Sequence, residues 1–198
     1  MKNTIRVIYK PDSISWEELA KCQQQAHESN KAQGINMQCS EFTGKELKDA
    51  VKNGFTLVAL DDAGILAGML SVEFKKVNRW WHKGLGAYIC YVAVAPDFKR
   101  RGVYRALSEK ANEIIASKGI NVEFLNTHIK NDAAQKAYLK DGYLKVRFSP
   151  GGGTDYYSVE MAKWLDGKGK SRSLCYLMYT AIEIAVRILY KPGKIRRF

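Results

Sequence analysis

Between Gly86 and Ile129 the chain reads strand, basic turn, helix, strand. Gly86–Val94 is apolar, β-branched and aromatic, and it stops at Pro96. Arg101–Lys118 follows with Val103, Ala106, Leu107, Ala111, Ile114 and Ile115 at helical period, closed by Gly119, a residue suited to the left-handed turn after a helix. Asn121–Ile129 then returns to strand character. Strand–helix–strand is a crossover, and a chain built around it must bury a sheet under helices.

The flanking segments extend that sheet. Thr4–Lys10 alternates Ile5, Val7 and Tyr9 and predicts a short strand ended by Pro11. Ser13 or Ser15 caps a helix over Trp16–Asn30, and Thr43 with Glu46 has capping-box spacing ahead of a helix over Gly44–Lys52. Phe55–Leu60 and Ile65–Lys76 are strands joined by the turn Asp61–Gly64. Asn131–Lys140 reads as a short helix closed by Gly142, and Tyr143–Phe148 and Tyr156–Trp164 are strands around Pro150–Gly153. The order β-α-α-β-β-β-α-β-α-β-β predicts a mixed, mostly antiparallel sheet of about seven strands with helices on both faces. Domain boundaries follow: 1–164 as the main domain, 165–173 as a polar linker, and 174–198 as an apolar, basic C-terminal helix and tail.

Composition sets the class. With 198 residues, 46% hydrophobic and 26% charged, the chain can bury a core without disulfides. Cys22, Cys39, Cys90 and Cys175 are scattered, with no CxxC pair and no nearby paired histidine. This argues against a zinc site and for a reducing cytoplasmic setting. No apolar stretch follows the charged N-terminus, so no secretion signal is expected. The net charge is +12, but it is uneven. Residues 163–198 carry nine Lys/Arg against Asp166 and Glu183, a net +7.

The turn after the central strand suits a phosphate, and equally suits a solvated basic turn capping an ordinary helix. In Val92-Ala93-Val94-Ala95-Pro96 the strand ends. Lys99, Arg100, Arg101 and Arg105 then supply positive charge, and Gly102 opens the helix through Val103 and Tyr104. A helix N-terminus presents unpaired N–H groups and a positive dipole end. Val94-x-Pro96 followed by Lys99-x-x-Gly102-x-Tyr104 resembles the motif of the GNAT superfamily of acetyl-CoA-dependent N-acetyltransferases. Lys99 takes the place of its Arg/Gln, and Tyr104 that of its second Gly/Ala. A second stretch, Asn131-x-x-Ala134-x-x-x-Tyr138-x-x-x-Gly142-Tyr143, resembles the family's Asn-x-x-Ala-x-x-x-Tyr-x-x-x-Gly-Phe pattern at every spacing.

The resemblance implies acetyl-CoA as cofactor. Main-chain groups of Val92 and Val94 would line its pantetheine arm, the segment Lys99–Arg105 would hold its phosphates, Asn131 would hydrogen-bond it, and Tyr138 would protonate the leaving thiolate. The amine acceptor attacks the thioester directly, so a base must take its proton. Some relatives place a glutamate where this chain has Asn126. His128, two residues on and on the same strand face, and Glu73 are the two candidates for the base. Gln23, Gln24, Gln25, His27, Asn36, Gln38 and the run Asn78–His82 lie in regions that select the acceptor in such folds. Amides and indoles there suit an amino sugar, and equally suit a solvated helix and a packed hairpin.

After the linker, Leu174–Tyr190 is nearly all apolar, broken by Thr180, Glu183 and Arg187, and followed by Lys191, Lys194, Arg196 and Arg197. It is shorter than the ~20 apolar residues a spanning helix needs. An amphipathic helix on the inner membrane surface and a helix packed on the domain, or on a second copy in a homodimer, both fit. The aromatic residues are dispersed and sit beside no nucleic-acid-binding motif, which argues against a nucleic-acid module. The competing functional reading is a membrane-surface protein that has kept the fold and lost catalysis.

Overall fold

The computed structural model describes residues 4–35, 37–150 and 157–189. Asn36, the glycine run 151–153, the side chains of Gln38 and Arg187, and the basic residues at 191–197 lie outside that set.

The elements follow the expected order: β1 (Arg6–Tyr9), α1 (Trp16–Lys31), α2 (Gly44–Ala50), β2 (Gly54–Leu60), β3 (Leu66–Asn78), β4 (Lys83–Val94), α3 (Val103–Ser117), β5 (Val122–His128), α4 (Asp132–Lys140), β6 (Leu144–Pro150), β7 (Tyr157–Trp164) and α5 (Arg172–Leu189). Short 3-10 turns over Gln38–Glu41 and Pro96–Phe98 are additional. The strands form one mixed seven-stranded sheet in the order β1-β2-β3-β4-β5-β7-β6. The described chain divides into two compact units, residues 1–75 with 87–120, and residues 76–86 with 121–198.

In the first unit, Ser15 is the residue that caps α1, where it forms a capping box, and the predicted Thr43–Glu46 box forms ahead of α2. Ser15 Oγ accepts the Glu18 N–H at 3.1 Å while Glu18 accepts the Ser15 N–H, and Thr43 and Glu46 repeat the pattern ahead of α2. β1 pairs with β2 and β2 with β3, both antiparallel. Their hairpin is held by Asp61, whose Oδ1 accepts from the N–H groups of Ala63 and Ile65. Val58, Leu60 and Met69 lie on one sheet face, packed in a buried cluster with Leu19, Cys22 and Ala26 of α1. Gly68, next to Met69, points the other way. A Cβ there would stand 3.0 Å from Cγ1 of Val103, so α3 covers the opposite face. Helices on both faces follow from β2 being buried on alternate and intervening residues alike.

In the second unit, β7 runs antiparallel to both β5 and β6. The β3–β4 hairpin tip contributes Trp81, 2% exposed, whose ring packs on Phe124 and Trp164. Gly169 lies flat on the Trp164 ring, where a Cβ would clash at 2.3 Å. α5 packs on β6, burying Cys175 and Tyr179, with the Tyr179 ring edge-on to Phe148. Of the two arrangements open for this segment, the packed one accounts for that face of the helix.

Candidate active site

In the first unit, β4 ends in a 3-10 turn, and the segment Lys99–Gly102 then turns the chain into α3. Arg100 has φ 64° and Gly102 has φ 81°. Two left-handed residues within three positions curl the backbone so that its N–H groups converge. No side chain caps α3 at Gly102, and the first N–H groups of any helix have no partner within it. A Cβ on Gly102 would meet nothing within 4 Å. The space beside Gly102 at the start of α3 is therefore open, and a helix start is where an anion is favoured. This fits the pyrophosphate of acetyl-CoA.

The basic residues of the loop divide by role. Arg100 and Arg101 are exposed, with the Arg101 guanidinium 5.5 Å from the Phe98 ring centre. Arg105 forms an exposed i,i+4 pair with Glu109 at 2.8 Å. Lys99 turns toward α1, where its Nζ donates to the Ala26 carbonyl at 3.1 Å and approaches Ser29 Oγ at 3.4 Å. The Lys99 ammonium thus fastens the loop to α1, a contact no local pattern signals.

Two further features of this unit were not legible in the sequence. Tyr91 sits in the middle of β4 with φ 49°, a left-handed kink that only surrounding packing can hold in a bulky residue. Its ring tilts against Phe42, and burial raises its hydroxyl pKa. Of the three consecutive glutamines, Gln24 and Gln25 are exposed while Gln23 is 1% exposed. Gln23 Nε2 donates to Cys39 Sγ at 3.4 Å, and its Oε1 is buried without a hydrogen-bond partner among the described residues. One turn on, His27 Nδ1 lies 2.9 Å from Asn30 Nδ2. Burial lowers the His27 pKa, and the charge of Lys99 adds to the effect.

Glu73 lies on β3 with its side chain 13% exposed. Its Oε2 pairs with Lys75 at 2.9 Å, and its Oε1 accepts from the Cys90 thiol at 3.6 Å. Burial, and then the Glu73 charge, hold Cys90 well above the usual thiol pKa, so Cys90 is a donor and not a nucleophile.

In the second unit, β5 ends at His128, which is buried. Its Nδ1 accepts the Lys130 N–H at 3.0 Å and its carbonyl accepts the Asn131 N–H at 2.9 Å. Asn131 is the N-cap of α4, with Oδ1 accepting from the Ala134 N–H at 3.1 Å. Gln135, also buried, ties the same turn by donating to the carbonyls of His128 and Ile129. Tyr138, seven residues after the cap, is half-buried, with its ring centre 5.7 Å from that of Tyr143. On β7, Glu160 stands opposite Asn126. It accepts from Trp81 Nε1 at 3.2 Å, and burial raises its pKa against the pull of Arg147 and Arg79. Trp80 Nε1 donates to the Val146 carbonyl at 3.1 Å. Both indole N–H groups are thus committed within this unit.

A sequence model of the acetyltransferase (GNAT) family matches residues 16–143. The chain belongs to that family. That family is one of acetyltransferases. No curated protein matches its sequence. Among solved structures, nourseothricin acetyltransferase is similar at 26% identity and a TM-score of 0.50, over 57% of this chain and 66% of that one. The match thus spans just under two thirds of that protein. The PaiA N-acetyltransferase of Thermoplasma acidophilum, solved with coenzyme A, shares the fold at 18% identity and a TM-score of 0.60, over 81% of this chain and 99% of that one. A GNAT-family acetyltransferase from Staphylococcus aureus Mu50 does so at 14% identity and a TM-score of 0.63, over 82% and 99%. Among the described residues no helix is long and apolar enough to cross a membrane.

Proposed function

We propose that the protein moves an acetyl group from acetyl-CoA directly to the primary amine of a small molecule, with an amino sugar as the first acceptor to test. The reading rests on one observation above all: an uncapped helix N-terminus, preceded by two left-handed residues, facing open space at Gly102. The main-chain donors from Gly102 to Arg105 hold the pyrophosphate, and Arg100 and Arg101 add countercharge. Val92, Ala93 and Val94 offer main-chain groups to the pantetheine arm, and Asn131 a side-chain hydrogen bond. Bound acetyl-CoA supplies an activated acetyl thioester.

The chain's own groups manage the protons. Glu73, a carboxylate held in place by Lys75 and Cys90, takes a proton from the acceptor ammonium. The Tyr138 hydroxyl gives one to the departing sulfur as the C–S bond breaks, and the second proton shed by the nitrogen as the C–N bond forms restores that hydroxyl. His128 is the other candidate base, but its Nδ1 is already the acceptor of the Lys130 N–H, so we assign it to positioning the β5–α4 turn. The four cysteines are unpaired, which supports a reducing, cytoplasmic setting. α5 is the surface through which we expect a membrane or a second copy to be met.

The test is calorimetric titration of acetyl-CoA into the full chain, then an amine screen that follows free thiol release. Saturable binding with thiol release on amino sugars supports the reading. Binding with release only on peptide amines would sink the small-molecule assignment, and no binding would sink the loop assignment.

A further inference from the structure

We infer that the outward face of α5 rests on an anionic lipid bilayer. The helix has three faces. One carries Cys175 and Tyr179 into the packing on β6. A second carries the polar residues Arg172, Ser173, Thr180 and Glu183. The third, at 100° per residue, gathers Leu174, Leu177, Ala181, Ile184, Ala185 and Ile188 into an arc about 100° wide. Nothing polar interrupts that arc, and its large members are 41%, 66%, 54% and 72% exposed in chain order. From Leu174 to Ile188 it runs about 21 Å along the helix. Packing on the domain explains the first face and leaves this one uncovered.

Charge selects the occupant. Lys168, Lys170 and Arg172 precede or open the helix, and five more cations stand between Arg187 and Arg197, against Asp166 and Glu183. An apolar stripe opened by Lys168, Lys170 and Arg172, in a sequence that is basic again beyond it, suits a helix lying in the plane of an anionic interface: side chains enter the acyl boundary while Lys and Arg meet headgroups. A second copy fits less well. It would bring two such basic segments together, and six side chains, two of them alanine, fall well short of the roughly 20–30 residues a side of a stable interface. The inference does not depend on acetyl transfer, so each can fail alone.

The experiment is sedimentation of the full chain with phosphatidylcholine vesicles, with and without phosphatidylglycerol, at low and high salt. We expect binding only where phosphatidylglycerol is present, and weaker binding as salt rises. The variant Leu177→Glu with Ile184→Glu alters exposed positions only, so its melting temperature should match the parent. Its vesicle binding should fall by about tenfold or more. No binding to anionic vesicles, or equal binding by the variant, would overturn the inference. So would a dimer in light scattering that the variant converts to monomer, which would assign the face to a second copy.

Discussion

Gly102 is the residue where a demanding backbone conformation and the proposed phosphate site coincide. Its φ of 81° is a conformation that costs other residues about 1–2 kcal/mol, and the open space before it is where an anion must come. Gly102→Val should therefore weaken acetyl-CoA binding by about tenfold or more, equivalent to ~1.4 kcal/mol. Gly119, with φ 73° and equally open surroundings at the other end of α3, supplies the control. Gly119→Val should lower stability similarly and leave calorimetric affinity unchanged. A Gly102→Val protein that still binds like the parent would refute the phosphate site. Tyr138 tests the chemistry instead. Because its ring packs on Tyr143, Tyr138→Phe keeps the packing and removes only the hydroxyl. Turnover should fall by roughly 10²-fold, the scale of a lost general acid, with affinity for acetyl-CoA within twofold. Equal losses in both would argue for a structural role.

At the scale of elements, the second unit depends on one buried cation. Lys163 of β7, 14% exposed, bridges Glu123 of β5 at 3.1 Å and Asp141 after α4 at 3.3 Å, and Glu123 is 1% exposed. Burial raises the Glu123 pKa, opposed by the charge and hydrogen bond of Lys163 and by Tyr143. Removing the cation leaves a buried charge alone, so Lys163→Met should cost about 3–5 kcal/mol in urea unfolding. The sign with pH follows from linkage. A carboxyl whose folded pKa lies above its unfolded value favours folding below the unfolded value, and that contribution is lost as pH rises through the folded pKa. Without Lys163 the folded pKa climbs further, so the variant should lose more stability than the parent as pH rises above the ordinary carboxyl range. A parallel pH dependence in the two proteins would show that Glu123 is stabilised by other groups.

For the whole molecule the charge matters more than the fold. A net +12 attracts an anionic cofactor from a distance, but only within a Debye length of about 10 Å at 0.1 M salt. Exposed Arg100 and Arg101 are subject to that screening, whereas main-chain donors at the helix start make short-range contacts. Acetyl-CoA affinity should fall by only several-fold as salt rises from about 0.1 to about 1 M. A loss of several orders of magnitude would mean that side-chain charge, not the helix start, carries the binding.

Local chemistry made the elements legible. The serine cap of α1, the capping pair Thr43 with Glu46, the glycine closing α3, and the periodicities of β4 and α3 each depend on neighbours within a few residues, and the two spaced motifs identified the family on the same terms. Long-range packing decided the rest. It turned Lys99 toward Ala26, 73 residues away, buried Gln23 but not Gln24 or Gln25, held Tyr91 left-handed inside a strand, and placed Glu160 opposite Asn126. It also divided the faces of α5, where hydropathy reads apolar all along but only contact with β6 distinguishes a covered side from an open one. A sequence specifies what a residue can do through its own backbone and near neighbours; which buried groups meet, and which apolar face is left over, is set by the sheet that brings distant segments together.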